Sequence, residues 1–427
     1  MRILQAEHPQ HWQELLQLFT YDFSADDKIE AAVREIITAV RERGDEALLA
    51  YTRQFDHVDL QAHELRVPAG ALPLARQRVS AAFLEALAVA RQNITSFHQR
   101  QVETSWEFER EGVRLGQRVV PLAAVGIYVP GGRALYPSSV LMLAIPARLA
   151  GVQRIVMVTP PRPGGIDPHL LAAAELAGVH EIYQIGGAQA IAALAFGTAA
   201  IPRVDKIVGP GNSYVTAAKR QVFGMVDIDS IAGPSEIAIL ADETADAEYV
   251  ARDLISQLEH DVEAKAVLVT TDATLARRVA TRVLELASQV ARAAIVQESV
   301  RRYAAAFVVR SLDEGIASIN EIAPEHLEIV TASPRSVAEK ITNAAAVFLG
   351  PYSPVPMGDY IAGTNHTLPT GRSGRFSSPL GVRDFCKHVS VVEYSRTAFE
   401  RERKHVETLA EVEGLPNHGE AVRARKG

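Results

Sequence analysis

The strongest constraint on this chain is an alternation that starts near Val119, where short β-rich runs begin to trade places with alanine-rich helical ones. Arg154–Thr159 (RIVMVT) reads as a buried strand, Glu181–Ile185 as a second and Lys206–Val208 as a third. Between and after them, Pro168–Ala177, Ala188–Phe196 and Ser213–Val222 carry helical spacing. After Gly233-Pro234 the alternation resumes, with strands over Glu236–Leu240 and Ala266–Thr270 and helices over Asp246–Leu258 and Ala273–Ser288. Further strands are expected near Ala294–Gln297 and Phe307–Val309. Strands joined through single helices need crossovers, which are right-handed on a parallel sheet. Two successive α/β blocks are therefore the simplest architecture.

The flanks differ. The opening reads as helical, with Ser24 and Asp26-Asp27 suiting a helix start before the apolar series Ile29, Val33, Ile36, Ile37 and Val40. A long helical stretch covers about Leu72–Gln101. Gly350–Gly381 is rich in Gly, Pro and Ser and too aperiodic for regular structure, and a loop of that length in a compact protein is usually functional. The charged, amphipathic tail after about Phe385 suits an arm that docks on a partner subunit.

Composition narrows the function classes. At 427 residues, with 48% hydrophobic and 22% charged residues, the chain can bury two or three cores. A formal net charge of -7 argues against a nucleic-acid partner, and local basic runs such as Arg401-Glu402-Arg403-Lys404 read as solvated surface. The single cysteine, Cys386, suits a reducing compartment and a packing role. The first residues lack an apolar leader, and apolar runs such as Ala190–Phe196 are too short to span a bilayer. The expectation is a cytoplasmic protein without membrane contact.

Several polar groups could carry chemistry. No G-x-G-x-x-G follows any candidate strand, but Pro130-Gly131-Gly132, Gly186-Gly187 and Gly209-Pro210-Gly211-Asn212 each fall where a strand runs into a helix. Each could bring backbone close to a ligand or could simply be a tight turn, so no nicotinamide cofactor follows from them. Gln257 and His260 lie three apart near a helix end; Asp359 and His366 sit in the irregular loop; Glu413 and His418 lie near the C-terminus. Imidazole, carboxylate and amide oxygen together suit a borderline divalent ion such as zinc, although spacing alone leaves open whether these groups meet. Glu325-His326 follows Pro324, which favours a helical first turn; there the pair could be general bases or a cap.

The chain resembles the histidinol dehydrogenase family. The similarity lies in GIYVPGG (Gly126–Gly132), IGGAQAIAALAFGT (Ile185–Thr198), GPGNSYVTAAK (Gly209–Lys219), AGPSEIAILAD (Ala232–Asp242) and DLISQLEHD (Asp253–Asp261). It continues through APEHLEI (Ala323–Ile329), GDYIAGTNHTLPT (Gly358–Thr370), GRFSSPLGVRDF (Gly374–Phe385) and EGLPNH (Glu413–His418), in the family's order over nearly the whole chain. The resemblance implies two incomplete Rossmann-like parallel-sheet domains with small helical N- and C-terminal arms. The implied division is an arm over 1–24, a first discontinuous domain over 25–127 and 236–380, a second, NAD-contacting domain over 128–235, and a dimerisation arm over 381–427.

By the same resemblance Gln257, His260, Asp359 and His418 match zinc ligands, one ion per subunit, with His418 contributed across a homodimer interface. Glu325 and His326 match the catalytic pair. Ser235, His366 and Glu413 match substrate contacts, as do the metal ligands and His326; Tyr128, Gln189 and Asn212 match nicotinamide contacts. The implied reaction is a four-electron oxidation of L-histidinol to L-histidine through the aldehyde, using two NAD. A relative oxidising another small polar alcohol, such as a sulfonated diol, is the nearest alternative. A zinc hydrolase using Glu325 and a non-catalytic ligand-binding protein are the more distant ones.

Overall fold

The computed structural model describes residues 1–20, 27–131 and 135–425. Ser24, Asp26, the expected arm boundary at residue 24 and Gly132 of the first glycine cluster lie outside the described residues. The strands in chain order are β1 (Arg2–Gln5), β2 (Trp106–Arg110), β3 (Val113–Pro121), β4 (Ala124–Tyr128) and β5 (Arg154–Thr159). They continue with β6 (Glu181–Gln184), β7 (Lys206–Val208), β8 (Asp227–Ile228), β9 (Glu236–Ala241) and β10 (Lys265–Thr270). The last are β11 (Ala304–Val308), β12 (His326–Val330), β13 (Ala346–Leu349) and β14 (Cys386–Tyr394).

Two parallel sheets form the larger of two compact units, residues 1–101 and 122–385. The first runs β1-β11-β10-β9-β12-β13, the second β6-β5-β4-β7-β8, and every pairing in both is parallel. The inner strands β9 and β10 are buried at every residue, as expected of strands covered on both faces by helices. The expected α/β class with two parallel sheets is the one the chain adopts.

The helices before β4 settle where the N-terminal segment packs. Val33, Ile36, Ile37 and Val40 of the Asp27–Arg43 helix share a core with Val156, Val158, Ile191 and Val215 of the second sheet and its helices. Leu72, Leu87 and Ile94 join Val125, Ile127 and Met157 on another face. These helices cover the five-stranded sheet, of which β4 is a central strand. Four expectations need correction. Arg2–Gln5 is a strand paired with β11, and helix begins only at Pro9. The Leu72–Gln101 stretch breaks into Ala71–Gln77 and Ala81–His98, where the Ser80 hydroxyl accepts the Phe83 N–H and starts a new helix. Ala294–Gln297 lies within the Ala293–Tyr303 helix, because Val296, Ser299 and Val300 continue the buried stripe at helical spacing. The Gly350–Gly381 stretch, expected to lack regular structure, holds a short helix at Val355–Tyr360 and a single 3₁₀ turn at Ser373–Arg375.

The second unit, residues 102–121 and 386–427, is built on the antiparallel sheet β14-β3-β2 and two helices, Arg396–Val412 and Pro416–Arg423. The C-terminal arm is thus organised around a strand as well as helices. No helix among the described residues is long and apolar enough to cross a membrane.

Gly209 marks a close approach that the fold requires. Its φ is +117°, and a Cβ there would stand 2.2 Å from the Tyr128 carbonyl oxygen. Gly224 has a similar φ of +96° with nothing within 4 Å of a Cβ. Gly209→Ala should cost about 2–5 kcal/mol from strain and clash together, whereas Gly224→Ala should cost about 1 kcal/mol from strain alone. Equal losses in denaturant-unfolding measurements would show that the approach of Gly209 to Tyr128 does not matter.

Candidate active site

At the carboxyl edge of the second sheet the chain order reverses. Strands β4, β5 and β6 build outward in one direction, and β7 then returns to pair with the other side of β4. Such a switch point opens a crevice, the usual ligand site of an open parallel sheet. Tyr128 ends β4 and Gly209 follows β7, so both line that edge. The Tyr128 hydroxyl accepts the Gly187 N–H at 3.1 Å, and burial pushes its pKa up to about 12, so it stays a phenol. Gln189 is 1% exposed, and neither end of its amide finds a hydrogen-bond partner among the described residues. Leaving such a group unpaired costs about 1–3 kcal/mol, which a bound ligand would recover. Asn212 is exposed and caps the Ser213–Val222 helix, its Oδ1 accepting the Val215 N–H at 3.1 Å. The buried Lys219 Nζ donates to the Gly209 carbonyl at 3.1 Å and pairs with Asp229, fixing the glycine turn. These residues fit the flat, phosphate-bearing body of a dinucleotide.

The first sheet holds the reactive pair. β9 and β12 run side by side with His326 opposite Ile237, which sets residue 236 beside residue 325. The Glu236 N–H donates to Glu325 Oε2 at 2.7 Å, and its carbonyl lies 3.0 Å from His326 Nδ1. A carbonyl can only accept, so Nδ1 carries a proton, and whenever the ring is neutral its lone pair lies on Nε2. Nε2 has no hydrogen-bond partner among the described residues and lies 3.6 Å from Asp359 Oδ1. Glu325 and His326 were expected in a helical first turn; instead Ala323 ends one helix in a left-handed conformation and His326 opens β12. The run His326–Val330 is buried throughout and so pairs as a strand, which removes any helix dipole from the pair.

Electrostatics and hydrogen bonds define the states of the neighbours. Burial opposes a charge on His326, but the Glu325 and Asp359 carboxylates outweigh it and hold the imidazole well above its usual value. Burial likewise disfavours ionised Asp359, yet His326, His366 and His260 keep it below the ordinary range. His366 is lowered by burial. Its Nδ1 lies 3.0 Å from the Asp359 carbonyl and its Nε2 3.0 Å from Ser139 Oγ, so the ring is neutral and its orientation is fixed. Ser235 stands half-buried immediately before β9.

The metal-type donors gather only in part within this unit. Gln257, 1% exposed near the end of the Ala247–Leu258 helix, leaves both amide atoms without partners among the described residues. His260 lies just past that helix, its Nδ1 3.1 Å from the carbonyls of both Ser256 and Gln257, so its Nε2 is available to a ligand. Among the described residues no three His, Cys, Asp or Glu side chains close around one point. An orphaned buried amide, a directed imidazole and an ionised Asp359 nevertheless form a donor set that fits a borderline divalent cation. Glu413 and His418 are exposed residues of the second unit, Glu413 capping the end of the Arg396–Val412 helix and His418 in the Pro416–Arg423 helix. Sequence reasoning missed Glu236, which acts through its backbone and so leaves no residue-type signal. It also missed Ser139, whose partner His366 is remote in the chain.

Comparison with known proteins agrees over the full length. A family model described as histidinol dehydrogenase matches residues 22–426. The curated histidinol dehydrogenase of Bacillus cereus is 52% identical over 401 residues, spanning 94% of this chain and 93% of its own. That of Syntrophotalea carbinolica is 49% identical over 426 residues, spanning 100% and 99%. The crystal structure of histidinol dehydrogenase from Elizabethkingia anophelis superposes with a TM-score of 0.93 at 36% identity, covering 100% of this chain and 98% of that one.

The Glu236 side chain makes the site sensitive to pH. Burial pushes its carboxyl up to about 7; the Glu325 charge adds to the rise, while Lys265 and the Gly371 N–H oppose it. A carboxyl raised on folding favours the native state below its ordinary value of 4.5, and that contribution is lost as pH rises through about 7. Glu236→Gln cannot titrate, so its melting temperature should fall less than the parent's between pH 5 and 8. Parallel curves for the two proteins would refute the assignment.

Proposed function

The chain belongs to the histidinol dehydrogenase family, oxidoreductases acting on a small molecule in histidine biosynthesis, and from that premise we propose that it oxidises L-histidinol to L-histidine with zinc and two molecules of NAD. The observation that carries this reading is His326, its Nδ1 proton committed to the Glu236 carbonyl and its Nε2 unpartnered beside Asp359.

Gln257, His260 and Asp359, with His418 from the partner subunit of a homodimer, would hold the zinc. It would supply a Lewis acid that grips the substrate's amine and imidazole nitrogens and offsets the Asp359 charge. Tyr128, Gln189 and Asn212 would line the NAD crevice, and NAD would accept a hydride in each of two oxidations. His326 Nε2 takes the hydroxyl proton in the first oxidation, the role its fixed tautomer allows. Glu325, held through one oxygen by the Glu236 N–H, then takes a proton from water as it adds to the aldehyde, and His326 returns its own proton to the carbonyl oxygen, which forms the hydrate and leaves Nε2 a base again. His326 receives the hydrate's hydroxyl proton in the second oxidation. Ser235, His366 and Glu413 would orient the substrate, His366 as a neutral ring held by Ser139.

Spectrophotometric assay with limiting histidinol should give two NADH per substrate, abolished by chelator and restored by zinc. His326→Asn should lower turnover about a hundredfold or more while keeping its zinc, since it loses a base and no ligand. A ratio of one, equal turnover on a sulfonated diol, or zinc loss in that variant would overturn the reading. Mixing an inactive His418→Ala protein with inactive His326→Asn under subunit exchange should regain part of the activity. No recovery in fully exchanged mixtures would place His418 in the site of its own chain.

A further inference from the structure

The segment that follows Asp359 and carries His366 is tied down at a gap in a helix that the reaction does not use. Pro146 lies inside the Pro137–Ala150 helix, and a proline has no N–H to offer the Met142 carbonyl four residues earlier. Asn365 fills that gap from outside. Its Nδ2 donates to the Met142 carbonyl at 2.7 Å, and its Oδ1 accepts the Thr367 N–H at 2.9 Å. A carbonyl can only accept and a backbone N–H only donate, so the amide fits one way round with both ends occupied. Asn365 is 4% exposed.

His366 sits between the two residues that this amide joins, Asn365 and Thr367. Its Nε2 lies 3.0 Å from Ser139 Oγ, and Ser139 precedes Met142 by three residues, so both contacts fall on one side of the same helix. Residues 361–372 have no helix or strand, so side chains must do the work of fixing the ring. The near end of the segment is pinned in the same way. Asn93, in the Ala81–His98 helix, donates through Nδ2 to the Ile361 carbonyl at 2.7 Å. Gly363, with φ +103°, approaches so closely that a Cβ there would meet the Asn93 carbonyl oxygen at 2.5 Å. Both anchoring helices share a core with Val125, Ile127 and Met157 of the five-stranded sheet.

We infer that Asn365 is a positioning residue that holds His366 against Ser139, and that Pro146 serves it by leaving the Met142 carbonyl open. The inference rests on the proposed reading of His366 as a substrate contact. Alanine at 365 removes donor and acceptor together and frees the ring from the helix. Alanine at 146 returns an N–H to the helix, which competes for the carbonyl that Asn365 uses. Alanine is also the better helix former, so that variant keeps its fold.

The test titrates zinc-loaded, full-length protein with histidinol in a calorimeter without NAD, and measures kcat alongside, with circular dichroism confirming the fold. Asn365→Ala should weaken histidinol binding about tenfold while kcat changes by less than about threefold, the pattern of a lost binding contact. In a His366→Ala background the same substitution should change affinity by less than about twofold, because the ring it positions is gone. An equal loss with and without His366 marks a general structural role and overturns the inference, as does an Asn365→Ala affinity within about twofold of the parent's. If Asn365→Ala does not fold, Pro146→Ala decides: it should weaken binding about threefold or more, and only while His366 is present. No loss, or a loss that persists without His366, overturns the inference. His366→Ala alone is the control. If it binds histidinol like the parent, the reading of His366 as a substrate contact fails; if it binds weakly while the Asn365 and Pro146 variants bind normally, only the anchor fails.

Discussion

The chemistry of this molecule hangs on one residue's backbone, that of Glu236. Its N–H holds Glu325 and its carbonyl holds His326, so a single residue orients the acid and selects the imidazole tautomer. Backbone groups in a central strand cannot rotate away as side chains can, and β9 is buried along its whole length. The parallel register of β9 against β12 is therefore a functional parameter as well as a structural one. A slip of one residue would bring Ser235 or Ile237 beside Glu325 and dissolve the clamp.

The remaining polar anomalies fall into two groups that match the two sheets. Beside the second sheet, the orphaned amide of Gln189 sits by glycine turns that leave room for a ligand's backbone approach. Beside the first, the Gln257 amide is orphaned, and so is His326 Nε2 next to the ionised Asp359. Unpaired buried amides and imidazoles cost free energy in an otherwise aliphatic core, and that cost is tolerable where an incoming group supplies the partner. The two settings differ in chemistry. One leaves a buried amide beside glycine turns at a sheet switch point, the other a buried amide and an imidazole nitrogen, the latter beside an ionised carboxylate.

Much of this was legible in the residues. Strands β5, β7, β9 and β10 announce themselves as short, largely apolar runs, and the helices between them by their spacing. The failures have physical reasons. Ala294–Gln297 is too short for its period to separate strand from helix, and the buried stripe that decides the matter extends to Val300. Pro324 was a misleading cue, because a proline that favours a helical first turn is also at home just before a strand. At the site, residue types were readable but convergence was not: His326 and Asp359 meet through sheet register and a loop, neither of which spacing encodes. The motifs shared with the family imply a wider grouping, while the backbone clamp emerged only from coordinates.

The charge balance around His326 ties these observations together. Glu325, Asp359, Glu236, Glu328 and Asp253 crowd one largely buried region, in which Lys265 lies 3.5 Å from the Glu236 carboxylate. So many carboxyls cannot all ionise in a low-dielectric setting, and protons make up the deficit: burial pushes Glu236 up to about 7 and Asp253 up to about 6, and Glu328 and His326 are held well above their usual range. A site balanced by protons in this way makes His326 an acid. A divalent cation held at Asp359 would remove one of the two carboxylates that raise His326, while burial would still disfavour its charged form. A proton on Nε2 would then be easier to lose, and the ring that the Glu236 carbonyl holds in place would serve as a base. On this argument the acidic surroundings of His326 are the reason its basicity can be coupled to occupancy of the neighbouring donors.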